Sequence, residues 1–416
     1  MALNYVWIFF LVVGIIAGIL KSVVLGDTGL LSDMMKALFD AAKNGFEISL
    51  GLTGVMTLWM GIMNVGKESG IISLFAKAVS PLFRVLFKGI PKDDPAYGSV
   101  TMNLSANMLG LDNAATPLGL DAMRDLQKLN PSTDTASDAQ IMFLVLNTAG
   151  ITLIPTSVIA MRQTIALEQH VANFNAADIF LPTLIATFIA FVSGIIIVSL
   201  FQRINIFKWP VILFVAGFGG LIALVHHQLS QMPAEQMNKT MGAIGSGIIL
   251  LVVTIFIVAG AVKKLNVYSL FIDGAKGGFA AATGIIPYLV AMLIAISVFR
   301  ASGCMDYLVN GIAAVVAACG LNTDFVPTLP IALMKPLSGG GARGLMVDVM
   351  KTYGVASFQG KLAAIIQGST ETTFYVLAVY FGSVNIKNSR YALAAGLLAD
   401  MMGLIAAIVV GYIFFH

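Results

Sequence analysis

Two polar, glycine-rich breaks interrupt a chain that is otherwise a succession of apolar stretches. They fall at matching places in two copies of one pattern. Ala42-Lys43-Asn44-Gly45-Phe46 returns as Ala275-Lys276-Gly277-Gly278-Phe279, and at the same spacing Gly51 returns as Gly284 and Ser69-Gly70 as Ser302-Gly303. Each copy then reaches a run that a lipid-facing helix does not tolerate. In the first it is Asn103-Leu104-Ser105-Ala106-Asn107 through Asp112-Asn113-Ala114-Ala115-Thr116-Pro117; in the second it is Lys335-Pro336-Leu337-Ser338-Gly339-Gly340-Gly341-Ala342-Arg343-Gly344. Beyond the breaks Asp121-Ala122-Met123-Arg124 answers Asp348-Val349-Met350-Lys351. A weaker match sets Asn147-Thr148-Ala149-Gly150-Ile151-Thr152 against Gly368-Ser369-Thr370-Glu371-Thr372-Thr373. Interrupted apolar segments at corresponding positions of two halves point to a transporter's central site.

The rest of the chain has to live in lipid. Apolar residues make up 58% of it and charged residues 11%, where a soluble domain carries about 25% charge. The alternating strands of a membrane barrel are absent. About nine full helical spans are expected, near 3–20, 46–66, 139–161, 178–201, 209–228, 240–262, 279–299, 360–383 and 391–414. Met1 to Leu20 has neither a basic leader nor a clear small-residue cleavage site and reads as a retained first span. The two polar breaks read as re-entrant hairpins, because unwound backbone in a membrane must line a cavity or pack in protein. The expected fold is all-α and integral to the membrane, with two inverted repeats and two hairpins of opposite orientation. Residues 1–205 form the first repeat, 206–239 a linking transmembrane helix and 240–416 the second.

Inversion follows from counting. The first copy uses an even number of spans, so the added span at 209–228 turns the second copy upside down. With the N-terminus in the cytoplasm, the short loops holding Arg203 and Lys208, Lys263 and Lys264, and Lys387 and Arg390 all lie inside. The opposite loops hold only Arg162 and Lys239. That matches the positive-inside bias and puts the C-terminus outside. The net charge of +3 is small and scattered, so no nucleic-acid partner is implied.

The first break offers Asn103, Asn107, Asp112, Asn113 and Thr116, with Pro117 placed to open the next helix. Asparagine amides donate and accept, which suits hydroxyls, amides or heterocycle edges, and also suits plain helix glue. The second break brings Lys335, Ser338 and Arg343 among glycines, of which Gly339 and Gly340 belong to an anion-binding nest. No Walker ending follows it. Cations inside a membrane segment are costly and are functional candidates by default; interfacial snorkelling is their structural alternative. Within 360–383, Gln367, Ser369, Thr370, Glu371, Thr372 and Thr373 form a polar run whose acid lies at membrane depth. The first-half equivalents Asn147, Thr148 and Thr152 lack that acid, so the site should be asymmetric. Cys304 and Cys319 sit in one amphipathic stretch with no metal-site spacing. His226-His227 reads as interfacial, and for Asp400 in the last span a helix-packing or cavity role and a transport role are equally open.

At these motifs the chain resembles a known family. Residues 1–205 are similar to spore maturation protein A, through Asn103-Leu104-Ser105-Ala106-Asn107, Gly110-Leu111-Asp112-Asn113-Ala114-Ala115-Thr116-Pro117-Leu118-Gly119, and Asn147-Thr148 leading to Thr152-Leu153-Ile154-Pro155-Thr156. From about residue 265 the chain is similar to spore maturation protein B, through Pro287-Tyr288-Leu289-Val290, Lys335-Pro336-Leu337-Ser338-Gly339, and Gln367 through Val376. It therefore resembles a fusion of the two. Both belong to the nucleoside recognition, or gate, domains, which also occur in concentrative nucleoside transporters and ferrous iron transporters. The resemblance implies a bacterial inner (plasma) membrane and a transport-like fold.

The expected function is a secondary-type transporter of a small polar or anionic organic solute (a nucleoside, amino acid or short peptide). The solute would lie at the midplane between the hairpins. Arg343 would neutralise a carboxylate, and Glu371 would couple Na+ or H+, with any coupling cation near it; no other metal or cofactor is expected. The alternative is a non-transporting scaffold or regulator for envelope or spore maturation. An enzyme is not expected, for want of a nucleophile or metal signature. The partners are the solute and the lipid bilayer, with a homo-oligomer expected.

Overall fold

The computed structural model describes every residue except Met1, Thr28, Lys92 and Leu111. For Ala2–Asn4, Asp112–Ala114, Ser230, Ala234, Glu235, Asn238 and Ala282 it describes the backbone alone. The chain is helical nearly throughout. The first half runs α1 (Ala2–Leu25), α2 (Gly29–Glu68), α3 (Ile71–Leu86), α4 (Pro95–Met108), α5 (Asp112–Lys128), α6 (Asp138–Thr148), α7 (Thr156–Glu168) and α8 (Phe180–Gln202). After α9 (Trp209–Ser230) the second half runs α10 (Ala234–Val262), α11 (Val267–Ala301), α12 (Cys304–Ala318), α13 (Leu329–Met334), α14 (Gly339–Tyr353), α15 (Phe358–Ser369), α16 (Thr373–Ser383) and α17 (Ala392–Phe415). The order repeats: a long helix, an amphipathic helix, a hairpin, a helix broken in the middle, and a full span. Gly70 and Gly303, at the entries to α3 and α12, hold left-handed φ values of 79° and 85°, which glycine adopts without steric cost.

Among the described residues there are eight candidate membrane spans, one of them the segment Phe358–Ser383, where the sequence suggests about nine. The missing one is 139–161. It is not a continuous span but two helices, α6 and α7, separated at 149–155. Gly150 weakens the helix there, and Pro155 removes a donor and disfavours helical backbone at Ile154. Segment 360–383 is broken likewise, into α15 and α16 around Thr370, whose φ of −148° is extended. Here no proline acts; consecutive threonines offer the backbone side-chain alternatives to helical bonds. Pro117 does not open a helix either: α5 begins at Asp112 and carries Pro117 inside it.

The two long helices hold the halves together. α2 has 40 residues and α11 has 35, well beyond the ~20 a bilayer needs, so both exceed the expected spans 46–66 and 279–299. They pack antiparallel along one close seam. A Cβ on Gly45 would meet Val290, one on Gly61 would meet Phe271, and one on Gly278 would sit 2.5 Å from Thr57 Cα. Asn64 Nδ2 donates to the Leu270 carbonyl across the same seam at 2.8 Å. The pairing centres near Gly51 and Gly284, the residues that the repeat equates. These two helices, equivalent in the repeat, therefore run in opposite directions.

The loops sort to two ends. At one, Lys387 N donates to Asp134 O (2.8 Å), Arg390 pairs with Asp138, and Gln202 donates to Asp138 O. α3 runs from Gly70, beside Lys263, to Arg84, beside Lys208. At the other end, Arg162 (fully buried) pairs with Asp178, which also meets Lys361 at 3.2 Å. Glu168 pairs there with Lys351.

Candidate functional site

Each hairpin tip is tied to the break of its own half. Leu153 N, in the first break, donates to Met108 O at the tip of α4 (2.8 Å). Phe374 N, just past the second break, donates to Pro336 O between α13 and α14 (3.1 Å). The breaks also meet each other, since Glu371 N donates to Thr148 O at 2.8 Å. Two interrupted helices and two hairpin tips thus converge in the interior.

A polar cleft opens where they meet. Its walls are Thr152 and Ile154–Val158 from the first break, Lys335, Gly339 and Arg343 from the second hairpin, and Gln367, Gly368, Thr370 and Glu371 from the second break. Both halves therefore build it. The predicted residues brought together here are Thr152, Lys335, Gly339, Arg343, Gln367, Thr370 and Glu371. Thr156 and Ser157 complete the wall, and sequence reasoning passed over them because they lay in an expected continuous span.

The cleft favours negative charge for three reasons. Lys335 and Arg343 outnumber Glu371 among its lining side chains. Arg343 has no ion pair among the described residues. Finally, α7 starts at Thr156 in the cleft wall with no side-chain cap on its first amides, and α14 starts at Gly339, where the Ser338 side chain accepts from Gly341 N at 3.0 Å. Helix N-termini present free N–H groups and the positive end of the dipole. The cleft volume is about 50 Å³, enough for a few waters at ~10–15 Å³ each. An organic solute needs more room than this.

The other predicted residues lie elsewhere. Asn103 Nδ2 donates to Ala115 O (2.7 Å), Asn107 Nδ2 to Asn147 Oδ1 (2.6 Å) and Asn147 Nδ2 to Phe143 O (2.8 Å), with Tyr380 OH also donating to Asn147 Oδ1 (3.4 Å). This network glues the first hairpin to α6 and α16 and is not part of the cleft wall. Thr116 is half-buried on α5. The Asp112 and Asn113 side chains lie outside the described residues. Thr148 and Ser369 end α6 and α15, Thr372 stands against Gly339, and Thr373 donates to Asp400. Gly340 lies beside Tyr288 in the first turn of α14.

An interior site between two hairpins and two broken helices, in a chain with eight candidate spans, defines a multi-pass membrane protein built from a repeated module. The family described as "Gate: Nucleoside recognition" matches residues 49–164 and 282–387, each stretch running from mid-way along α2 or α11 to the broken helix. The chain belongs to this Gate family. It is similar to spore maturation protein B of Bacillus subtilis (strain 168), with 46% identity over 151 residues, which are 36% of this chain and 83% of that protein. It is also similar to spore maturation protein A of the same organism, with 39% identity over 194 residues, 47% of this chain and 92% of that protein. The two similarities fall on different halves. No solved structure matches the chain.

Proposed function

We propose that this protein is a secondary-type transporter of a small anionic organic solute, held in the cleft between the second hairpin and the two helix breaks. The observation that carries this is the meeting of Lys335, Arg343 and the amide ends of α7 and α14 in one polar cleft to which both repeats contribute. Arg343 neutralises the solute's carboxylate or phosphate, while Thr152, Thr156, Ser157, Gln367 and Thr370 hydrogen-bond its polar groups. Amino acids and short peptides, which carry a carboxylate, are the first solute classes to try; nucleosides, suggested by the family's description, are uncharged and would engage the hydrogen-bonding groups alone. The inverted halves supply alternating access by rocking or by displacement of the hairpins. The protein carries out no covalent chemistry.

We place the domains at 1–205, 206–239 and 240–416, in a bacterial inner membrane. The end bearing Arg203, Lys208, Lys263, Lys387 and Arg390 faces the cytoplasm, so the N-terminus is inside and the C-terminus outside. A homo-oligomer is the assembly we favour. One observation supports a second reading, a membrane scaffold: the asparagine network at the first hairpin is spent on helix–helix contacts.

Thermal unfolding of the detergent-purified protein against nucleosides, amino acids, dipeptides and dicarboxylates tests the proposal. A ligand that binds only the folded state raises its apparent stability. The transport reading expects at least one anionic compound to raise the midpoint, and Arg343→Ala to abolish that rise while remaining folded. A rise unaffected by Arg343→Ala, or none across the panel, favours the scaffold.

A further inference from the structure

Asp400 is the one carboxylate of α17 and is 1% exposed. Its Oδ2 accepts from Thr373 Oγ1, but its Oδ1 has no hydrogen-bond partner. The buried Thr148 hydroxyl is likewise without a partner, and the buried Thr370 hydroxyl, which closes no full hydrogen bond, acts on the same carboxylate. An ionised carboxylate in the membrane interior is retained when something pairs with it, and orphaned hydroxyls carry their own desolvation cost.

The residues that carry these oxygens meet on one face of α17. Gly396 and Gly403 flank Asp400 by one turn on the same face of α17, since residues three and four apart are neighbours on a helix. A Cβ on Gly396 would lie 3.0 Å from Thr373 Cγ2 and 3.9 Å from Thr148 Cγ2. One on Gly403 would lie 2.7 Å from Thr370 Cγ2 and 3.6 Å from the Ser369 carbonyl. The glycines thus let the ends of α6 and α15 press against the Asp400 face. Those ends are helix C-termini, which expose carbonyls and the negative end of the dipole. Two charged neighbours that act on Asp400, Lys335 and Glu371, are opposite in sign.

We propose that Asp400 Oδ1, the Thr148 and Thr370 hydroxyls and the Ser369 carbonyl bind a monovalent alkali cation, Na+, with Thr373 orienting the carboxylate. An all-oxygen donor set suits a hard cation, and a single carboxylate among neutral oxygens suits one positive charge rather than two. The site lies behind the cleft, at helix C-termini, while the anion site lies at helix N-termini. Lys335, Arg343, Glu371 and Asp400 together sum to zero charge, so one Na+ and one monoanionic solute bind with no net change. Only this coupling rests on the transport reading; the cation site stands without it.

The test is the unfolding midpoint of the full-length protein in detergent at pH 8, titrated with NaCl against choline chloride at constant ionic strength. The proposal expects a saturable rise of a few degrees with Na+ alone, lost in Asp400→Asn. In Thr370→Val or Thr148→Val the Na+ needed for half the rise increases about tenfold. Glu371→Gln keeps the rise, which assigns the cation to Asp400 and not to the acid in the cleft. The same midpoint in NaCl and choline, a rise surviving in Asp400→Asn, or stabilisation by acid alone would overturn it. If Asp400→Asn does not fold, an unchanged half-saturation in both threonine variants overturns it equally. Arg343→Ala, which removes the solute response and leaves the Na+ response, separates failure of the solute site from failure of this one.

Discussion

Gly278→Ala adds one methyl group to α11 at its tightest approach to α2. The new Cβ would lie 2.5 Å from Thr57 Cα and 2.7 Å from Met56 O and Thr57 N, all backbone atoms that no rotamer change can move. Carbon atoms rest at about 3.5–4.0 Å, so the seam must open by about 1 Å. Between membrane helices the attraction is mostly van der Waals packing, with no hydrophobic drive to restore it. A radial gap of that size forfeits a quarter to a half of each contact, and overpacking of this kind costs about 1–3 kcal/mol. Alanine returns about 0.8–1 kcal/mol in helix propensity, leaving a net loss of up to about 2 kcal/mol. Gly54 on α2 has nothing within 4 Å of an added Cβ, so Gly54→Ala keeps the propensity gain alone. Thermal unfolding in one detergent, followed by intrinsic fluorescence, should move the two midpoints in opposite directions. Equal shifts of the same sign would refute the close antiparallel seam.

Asp178→Asn leaves Arg162 and Lys361 facing each other without a carboxylate, and should destabilise by about 3–5 kcal/mol; a folded variant within about 1 kcal/mol of the parent by unfolding midpoint contradicts that. Asn147→Ala strands Asn107 Nδ2 and Tyr380 OH, for a loss of about 1–3 kcal/mol. It should leave the solute response intact; loss of that response in a folded variant would put the asparagine network in the binding site. The hydrogen bonds of His416 and then Asn322 hold the Asp324 carboxyl below its usual range, tying the loop before the second hairpin to the end of α17. A depressed carboxylate stabilises the fold above its ordinary pKa of about 4 and loses that contribution as pH falls through the lowered value. The pair is exposed, so His416→Ala should cost less than about 1 kcal/mol at neutral pH. An acid titration of both midpoints should show the gap closing below about pH 4; a gap that widens there reverses the assignment.

Several features were legible from residues alone because they depend on local composition and spacing. Apolar runs of sufficient length, with charge at 11% of the chain, leave helical spans as the way to satisfy the backbone in lipid. The repeat put the hairpins and the Gly70 and Gly303 turns at corresponding places, and Lys335, Arg343 and Glu371 stood out as charges a span does not otherwise carry. Three things were harder to read. The segment 139–161 is apolar enough to pass for one span, and that average hides Gly150 and Pro155, which break it. The division of the polar residues between glue and cleft depends on long-range contacts such as Glu371 N to Thr148 O and Asn107 to Asn147. An asparagine has the same composition whether its amide meets another helix or a solute. Asp400 looked like a single acid on a packing face until folding brought Thr148, Thr370 and Ser369 from two broken helices against Gly396 and Gly403. Composition and period determined the membrane, the repeat and the breaks; tertiary structure alone decided which helix ends converge, because a dipole end or an orphaned oxygen becomes a site only when another part of the chain is brought beside it.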